Sequence, residues 1–190
     1  VIDTAMQDWG IYLSVNPCRL IKREKEPNPR DRTLIDDEYE RLLEACERSD
    51  NIYLKSMVIF SVETAVRQGE LLSAKYDDIN IKNKTLLLKD TKNGEDRLVP
   101  LSPTALQILV TNPRNEYGKI FPVTCDSLKH WFKQAKRRAQ LKGFRWHDLR
   151  RFSCSRLFEK GLSVPEVQLI SGHRDPRVLL NTYTKLDPVK

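Results

Sequence analysis

The sequence predicts an α+β fold that is mainly helical and carries a small three-stranded antiparallel sheet. Most apolar residues recur at helical spacing, but between residues 79 and 101 the spacing changes to two. Asn83 and Asn93-Gly94 supply turn residues within this region. A chain of 190 residues can bury one core of good size. The three predicted strands carry the pairs Ile79 and Ile81, Leu86 and Leu88, and Leu98 and Pro100.

The N-terminal region is predicted to be separate from the main domain. Residues 1–15 place their large apolar side chains on one helical stripe, which Asn16-Pro17 ends. Residues 18–32 are charged and contain two prolines, a composition typical of a linker. We expect residues 1–17 to be the end of a preceding helical domain and residues 33–190 to form the main domain. The alternative is a helix docked on the same core.

Two helices are predicted before the sheet. The first begins at Asp36, a candidate N-cap that is followed by acidic residues in the first turn. The second covers residues 52–66 and is mostly apolar, which predicts a central buried helix. It leads directly into Arg67, which has Glu70 three positions later. Because an unpaired buried charge is too costly, Arg67 must be paired or have a function.

Further helices are predicted after the sheet. Ser102-Pro103 and Thr124 are candidate helix starts. If the segment that begins at Trp146 is helical, His147 and Arg150 project from one face, because they are three positions apart.

The last two helices are predicted near the C-terminus. Ser163 and Glu166 form a capping box, and Gly172 fits the end of that helix. We expect its apolar side chains to be buried. Asp175-Pro176 starts the last helix. The side chains expected to be buried are Val167, Leu169 and Ile170, and Leu179 and Tyr183 share one face of the last helix.

The positive charge is concentrated in one block. The net charge is 33 − 26 = +7, and residues 133–151 contain one acid, Asp148, among many cations and several aromatic residues. This pattern indicates a polyanionic partner, and nucleic acid above all. An inert, solvated cationic face is the alternative. The residues of this block predicted to contact the DNA backbone are Lys133, Lys136, Arg137, Arg138, Lys142, Arg145 and Arg151.

Composition also argues against several other classes of protein. The four cysteines are scattered without zinc-ligand spacing, so we expect reduced thiols and neither a metal nor a cofactor. No apolar run approaches the roughly 20 residues of a membrane span. We therefore expect a cytoplasmic protein without a membrane segment.

The candidate reactive side chains suit chemistry at a phosphodiester. Arginine matches phosphate oxygens in a bidentate manner, and lysine or histidine can protonate a departing alkoxide. A tyrosine hydroxyl can form a covalent phospho-enzyme. Such a set can cleave a phosphodiester without a metal ion. The candidates are Arg67, Lys92, His147, Arg150, His173 and Tyr183.

Five local motifs, in this order, resemble the tyrosine recombinase (phage integrase) family. The resemblance covers about residues 33–186 and implies the fold of that family's catalytic domain, with residues 1–17 ending its core-binding domain. Ala65 stands where the family often has glycine. The motifs are Thr64-Ala-Val-Arg67-Gln-Gly-Glu70, Thr91-Lys92-Asn-Gly with Arg97-Leu-Val-Pro100, His147-Asp-Leu-Arg150, Ser171-Gly-His173, and Thr182-Tyr183.

The resemblance implies a role for each candidate. Tyr183 would attack the scissile phosphate and form a 3′-phosphotyrosyl link, with Lys92 as the general acid for the 5′-oxygen. Arg67 and Arg150 would bind the non-bridging oxygens. His147 would be the acid/base partner of the tyrosine, His173 would hydrogen-bond the phosphate, and Glu70 would orient these groups.

The resemblance predicts a site-specific recombinase that acts on double-stranded DNA sites as a homotetramer, with accessory DNA-bending proteins as further partners. An integrase of a phage or genomic island in bacteria is the preferred interpretation, and a chromosome-dimer resolvase is the nearest alternative. A non-catalytic DNA-binding module is the alternative from another class. In that case Arg67 would be a structural ion-pair partner of Glu70, Lys92 an ordinary hairpin lysine and Tyr183 a core residue.

Overall fold

The structure is a computed structural model that describes residues 1–22, 32–35, 37–89 and 96–183, with backbone alone for residues 181–183. The chain divides into two compact units, Val1–Arg30 and Asp31–Lys190. The first unit contains helix α1 (Ile2–Asp8). The predicted helix over residues 1–15 is therefore too long. Gly10 adopts a left-handed φ of 66°, which ends the helical path.

The second unit contains the other α-helices of the described chain. The helices predicted there from sequence are confirmed, and α4 is an addition that sequence periodicity did not indicate. Their bounds are α2 (Glu38–Glu47), α3 (Leu54–Thr64), α4 (Gln68–Ser73), α5 (Pro103–Thr111), α6 (Cys125–Arg138), α7 (Trp146–Glu159), α8 (Val164–Ser171) and α9 (Pro176–Tyr183).

Side-chain caps explain where several helices begin. Ser102 Oγ accepts the Ala105 N–H at 3.1 Å, and Thr124 Oγ1 accepts the Ser127 N–H at 3.2 Å. The predicted starts of α5 and α6 are thus confirmed. At α2 the N-cap is Asp37, while the predicted cap Asp36 lies outside the described residues.

The sheet has the antiparallel order β1 (Ile79–Asn80), β2 (Thr85–Leu88), β3 (Arg97–Pro100). The predicted three strands are confirmed, but the residue of the third strand that faces the core is Val99, which lies between the predicted pair Leu98 and Pro100. Val99 pairs with the buried Leu86 and is itself fully buried, whereas Leu98 is 57% exposed. Because side chains alternate along a strand, pairing with Leu86 fixes Val99 as the inward residue. Asn93-Gly94 lies outside the described residues.

Helix α3 lies at the centre of the main core, as its apolar sequence predicts. Met57, Val58 and Phe60 are fully buried, and α3 packs against α2, α5 and α7. None of the helices in the described ranges has the length and apolarity to cross a membrane.

A smaller apolar cluster, which we call the satellite cluster, holds the C-terminal helices. It joins Ala65, Cys154, Val167 and Leu179, which are fully buried. The prediction that Val167 is buried is confirmed. The same prediction for Leu169 is wrong, since that side chain is 73% exposed on the outer face of α8. The satellite cluster fixes the turn between α8 and α9 next to the end of α3.

Candidate active site

Arg67 is positioned by the break between α3 and α4. Helix α3 ends at Ala65, which has a left-handed φ of 52°, and Arg67 is the extended N-cap residue of α4. Glu70 accepts hydrogen bonds from the Arg67 backbone N–H and from Nη1, both at 2.7 Å. The carboxylate therefore both caps α4 and orients the guanidinium group.

A second arginine, Arg97, also binds the carboxylate of Glu70. Its Nη2 lies 2.6 Å from the second oxygen of Glu70. Burial alone would raise the pKa of Glu70, but the Arg67 backbone N–H and the charges of the two arginines outweigh burial, so the pKa is lowered. Glu70 is thus an ionised, buried carboxylate shared by two guanidinium groups. Arg67 Nη2 also donates to the Gly172 carbonyl at 2.9 Å, which links α4 to the α8–α9 turn.

Arg150 enters the same cluster from α7. Its side chain is buried, and Nη1 donates to the Ala65 carbonyl at 2.6 Å. Nη2 lies 3.4 Å from both ring nitrogens of His173. Burial and then the charge of Arg67 lower the pKa of Arg150 to about 10, so the group is still a cation at neutral pH.

His173 is oriented by Ser171. Ser171 Oγ lies 2.7 Å from His173 Nδ1 and donates its own proton to the Val167 carbonyl at 2.6 Å. Because a hydroxyl has one proton, Nδ1–H must donate to Ser171 in the neutral ring, which leaves Nε2 as an acceptor. Burial and then the charge of Arg150 lower the pKa of His173 to about 3, and the ring is neutral at pH 7.

His147 lies at the start of α7 and is exposed. Its pKa is lowered, first by partial desolvation and then by the charge of Arg150, while Asp148 opposes the shift. A neutral imidazole at this position can accept a proton at physiological pH. His147 also lines a cavity of about 400 Å³, together with Gln68, the residue that follows Arg67.

The predicted DNA contacts divide into groups. Lys133, Lys136 and Arg145 line the cavity beside His147. Arg138 Nη1 instead donates to the Arg48 carbonyl at 3.0 Å. Of the other predicted contacts, the structure places Arg137 and Lys142 at exposed positions and leaves Arg151 half-buried on α7.

The side chains of two further predicted catalytic residues are not among those described. Lys92 lies outside the described residues. Tyr183 is the last residue of α9, and only its backbone is described. Leu179 of the same helix is buried in the satellite cluster. The structure thus brings Arg67, Arg150, His147 and His173 to one face.

Two further residues, Arg97 and Ser171, contribute to this cluster and were not among the predicted site residues. Both stand within motifs quoted above, Arg97 in a predicted strand and Ser171 two residues before His173. In both cases the available signal was a polar side chain next to a motif residue.

The charge balance of the cluster favours an anion. Two guanidinium groups, those of Arg67 and Arg97, contact the carboxylate of Glu70, and the charges of both also act on Arg150. Forked guanidinium groups match the paired oxygens of phosphate. Across the ranges that the structure describes, no group of three or more His, Cys, Asp or Glu side chains is arranged to hold a metal ion.

Comparison with known families decides the assignment. The model of the phage integrase family matches residues 32–189. This chain belongs to the phage integrase family. The match includes every residue placed in the cluster above and confirms the resemblance drawn from the motifs.

Curated relatives are consistent with this family. The chain is 36% identical to the shufflon-specific DNA recombinase of Escherichia coli over 187 residues, which cover 98% of this chain and 48% of the relative. It is 34% identical to a putative integrase/recombinase of Haemophilus influenzae, with coverage of 93% and 50%. The chain therefore spans about half the length of these phage integrase family relatives.

Solved structures confirm the fold. A lambda integrase dimer bound to a COC′ core site matches with a TM-score of 0.76 at 21% identity, covering 100% of this chain and 58% of that chain. A lambda integrase tetramer bound to a Holliday junction matches with a TM-score of 0.70 at 22% identity, covering 92% and 53%. The helical architecture with a three-stranded sheet is thus that of the phage integrase family.

Proposed function

We propose that this chain is the catalytic domain of a site-specific DNA recombinase that cleaves and rejoins DNA through a 3′-phosphotyrosyl intermediate. The observation that carries the proposal is the set of contacts that joins Arg67 to Glu70 and the Gly172 carbonyl, and Arg150 to His173. The cluster is cationic and preorganised. Such a site stabilises the charge on a phosphorane-like transition state.

Arg67 and Arg150 are proposed to bind the non-bridging oxygens of the scissile phosphate. Both are anchored to backbone carbonyls, at Gly172 and Ala65, which fixes the direction of each fork. This anchoring removes most of the side-chain reorganisation that binding would otherwise require.

The histidines are proposed to have different tasks. His147 is exposed and accepts the proton of the attacking tyrosine hydroxyl. His173 is neutral in the free site, and a phosphate anion beside it favours its protonated form. The imidazolium then donates from Nε2 to the phosphate while Nδ1–H still donates to Ser171.

The covalent steps balance without a nucleotide cofactor. The Tyr183 oxygen attacks phosphorus, the bond from phosphorus to the 5′-oxygen breaks, and Lys92 gives that oxygen a proton. The phosphotyrosyl ester conserves the phosphodiester bond energy. A 5′-hydroxyl from another strand can therefore attack it and release the tyrosine.

The partner proposed for the cationic face is double-stranded DNA. Lys133 and Arg145 border the cavity next to His147, where the strand that flanks the scissile phosphate would pass. A homotetramer on DNA is proposed because the similar lambda integrase forms such a complex with a Holliday junction. Accessory DNA-bending proteins remain a prediction. A cytoplasmic location, where bacterial and phage DNA is accessible, belongs to the same proposal.

The domain boundaries are also part of the proposal. Residues 33–190 would form the catalytic domain, residues 18–32 the linker, and residues 1–17 the end of a core-binding domain. The division into Val1–Arg30 and Asp31–Lys190 supports a boundary in this region.

The proposed function can be tested with a nicked DNA duplex, from which cleavage releases a short 5′-hydroxyl fragment. Loss of this fragment prevents rejoining and traps the covalent intermediate. The protein should form a denaturation-resistant adduct with this DNA, and Tyr183→Phe should abolish the adduct while DNA binding persists. EDTA should leave the reaction intact. DNA binding without any adduct would favour the non-catalytic module, and loss of cleavage in EDTA would favour a metal-dependent nuclease.

A further inference from the structure

Arg97, the first residue of β3, lies within the cluster although the chemistry above does not use it. Nη2 contacts Glu70 Oε2 at 2.6 Å, and Nη1 donates to the Ile170 carbonyl. Nε is buried without a hydrogen-bond partner in the described part of the chain. The Arg97 side chain is 13% exposed, and each of its terminal nitrogens contacts a group of the protein itself.

The carboxylate of Glu70 connects Arg97 to Arg67. One oxygen contacts Arg67 Nη1 and the other contacts Arg97 Nη2. The oxygen that contacts Arg97 also accepts the Arg67 backbone N–H at 2.7 Å, so Arg97 is the second group that holds it. Without Arg97, only Arg67 would hold the carboxylate, and the direction in which Glu70 orients the Arg67 guanidinium group would change.

Arg97 also supports the turn that precedes His173. The carbonyls of Ile170 and Gly172 lie at the C-terminal end of α8, where helical carbonyls lack partners within the helix. Arg97 binds the first and Arg67 the second. A Cβ atom on Gly172 would lie 2.8 Å from Cδ and Nε of Arg97, so the side chain packs directly against this glycine.

We propose that Arg97 is a positioning residue that sets the direction of Arg67 through Glu70 and fixes the turn that carries His173. The inference rests on the proposed DNA cleavage function. Lysine cannot replace Arg97, because a single ammonium group does not supply two donors in a planar fork.

The test compares Arg97→Gln, Arg97→Lys and Gly172→Ala with a matched control, Arg41→Gln. Arg41 also pairs with a carboxylate, that of Asp37 at 3.0 Å, and donates to a carbonyl, that of Ala139 at 3.0 Å, but it lies outside the cluster. The measurement is the single-turnover rate of adduct formation on the nicked duplex at saturating DNA. DNA affinity and Tm are measured in parallel.

Both Arg97 variants should form the adduct about 100-fold more slowly, the usual cost of misplacing a catalytic group by about 1 Å. DNA affinity should stay near that of the wild-type protein. Gly172→Ala should act in the same direction, and Arg41→Gln should cleave at the wild-type rate even if its Tm falls.

A double-mutant cycle separates positioning from a general structural role. If Arg97 acts through Glu70, then Arg97→Gln should add little to the defect of Glu70→Gln. Multiplicative defects, or wild-type cleavage by Arg97→Lys, would overturn the inference. If Arg97→Gln does not fold, Arg97→Lys replaces it in the cycle. Absence of an adduct with the wild-type protein would instead count against the proposed function itself.

Discussion

Arg150 Nη1 donates a 2.6 Å hydrogen bond to the carbonyl oxygen of Ala65. That carbonyl is available because α3 ends at Ala65 in a left-handed conformation. The end of the central helix thus fixes a proposed phosphate-binding group on α7. The local backbone of one motif determines the side-chain direction of another motif 85 residues away.

Ala65→Gly should leave the free energy of unfolding within about 1 kcal/mol of the wild-type value. The left-handed conformation costs an alanine about 1 kcal/mol, which glycine relieves. Burial of the alanine methyl group contributes about 0.8 kcal/mol, which glycine loses. Cleavage should persist because the carbonyl remains. Chemical denaturation measures the balance, and a loss above about 2 kcal/mol would show that packing in the satellite cluster dominates.

Arg150→Lys should lose most of the cleavage activity, by about 100-fold or more. Lysine cannot donate to the Ala65 carbonyl and also present a fork to phosphate. Adduct formation on the nicked duplex measures the effect, with DNA affinity as the control for binding. Near-normal cleavage would refute the proposed role of Arg150.

Acid should destabilise the protein through His173. Its pKa is about 3 in the folded chain and 6.5 ordinarily, so the unfolded chain binds more protons between these values. The stabilising contribution is complete above pH 6.5 and is lost as the pH falls towards 3. The free energy of unfolding should change by at most about 1.4 kcal/mol per pH unit for this group. His147, whose pKa is also lowered, acts in the same direction.

The control for this pH dependence is His173→Gln. Urea titrations between about pH 4 and pH 7 should show a smaller slope of unfolding free energy against pH for the variant than for the wild-type protein. Equal slopes in the two proteins would mean that His173 titrates normally in the folded state.

DNA affinity should fall steeply with salt if the cations around the cavity bind phosphates. Replacement of Lys133 or Arg145 by alanine should reduce the slope of log affinity against log salt by about 0.9 for each phosphate that the side chain neutralises. Lys160→Ala is a matched control, because this exposed lysine lies at the C-terminal end of α7. Fluorescence anisotropy at several salt concentrations gives the slopes. If the slope is unchanged in both variants, Lys133 and Arg145 do not contact DNA phosphates, and the surface around the cavity is not the DNA-binding surface.

The spacing of apolar residues in the sequence correctly predicted the helices and strands whose buried side chains recur at regular intervals. The fully buried Met57 and Phe60 in α3, and the capped starts at Ser102 and Thr124, follow from local pattern and capping chemistry. The motifs also included Arg67, Arg150 and His173, which the structure brings close together. Short-range rules were sufficient in these cases.

Local rules failed where tertiary contacts decide the outcome. The inward face of β3 depends on the pairing of Val99 with Leu86. The exposure of Leu169 depends on which side of α8 the satellite cluster occupies. Arg97 became visible as a member of the site only when the chain brought Glu70 and Ile170 to it. No spacing within a single element encodes these relationships.

The satellite cluster has a consequence for heat inactivation. Arg67 comes directly after α3, whose apolar side chains belong to the large main core. The α8–α9 segment, which bears His173 and Tyr183, packs through the few apolar side chains of the satellite cluster. A small packing unit loosens at a lower temperature than a large one. Enzymatic turnover should therefore fail on warming while most of the helical circular dichroism signal is still intact.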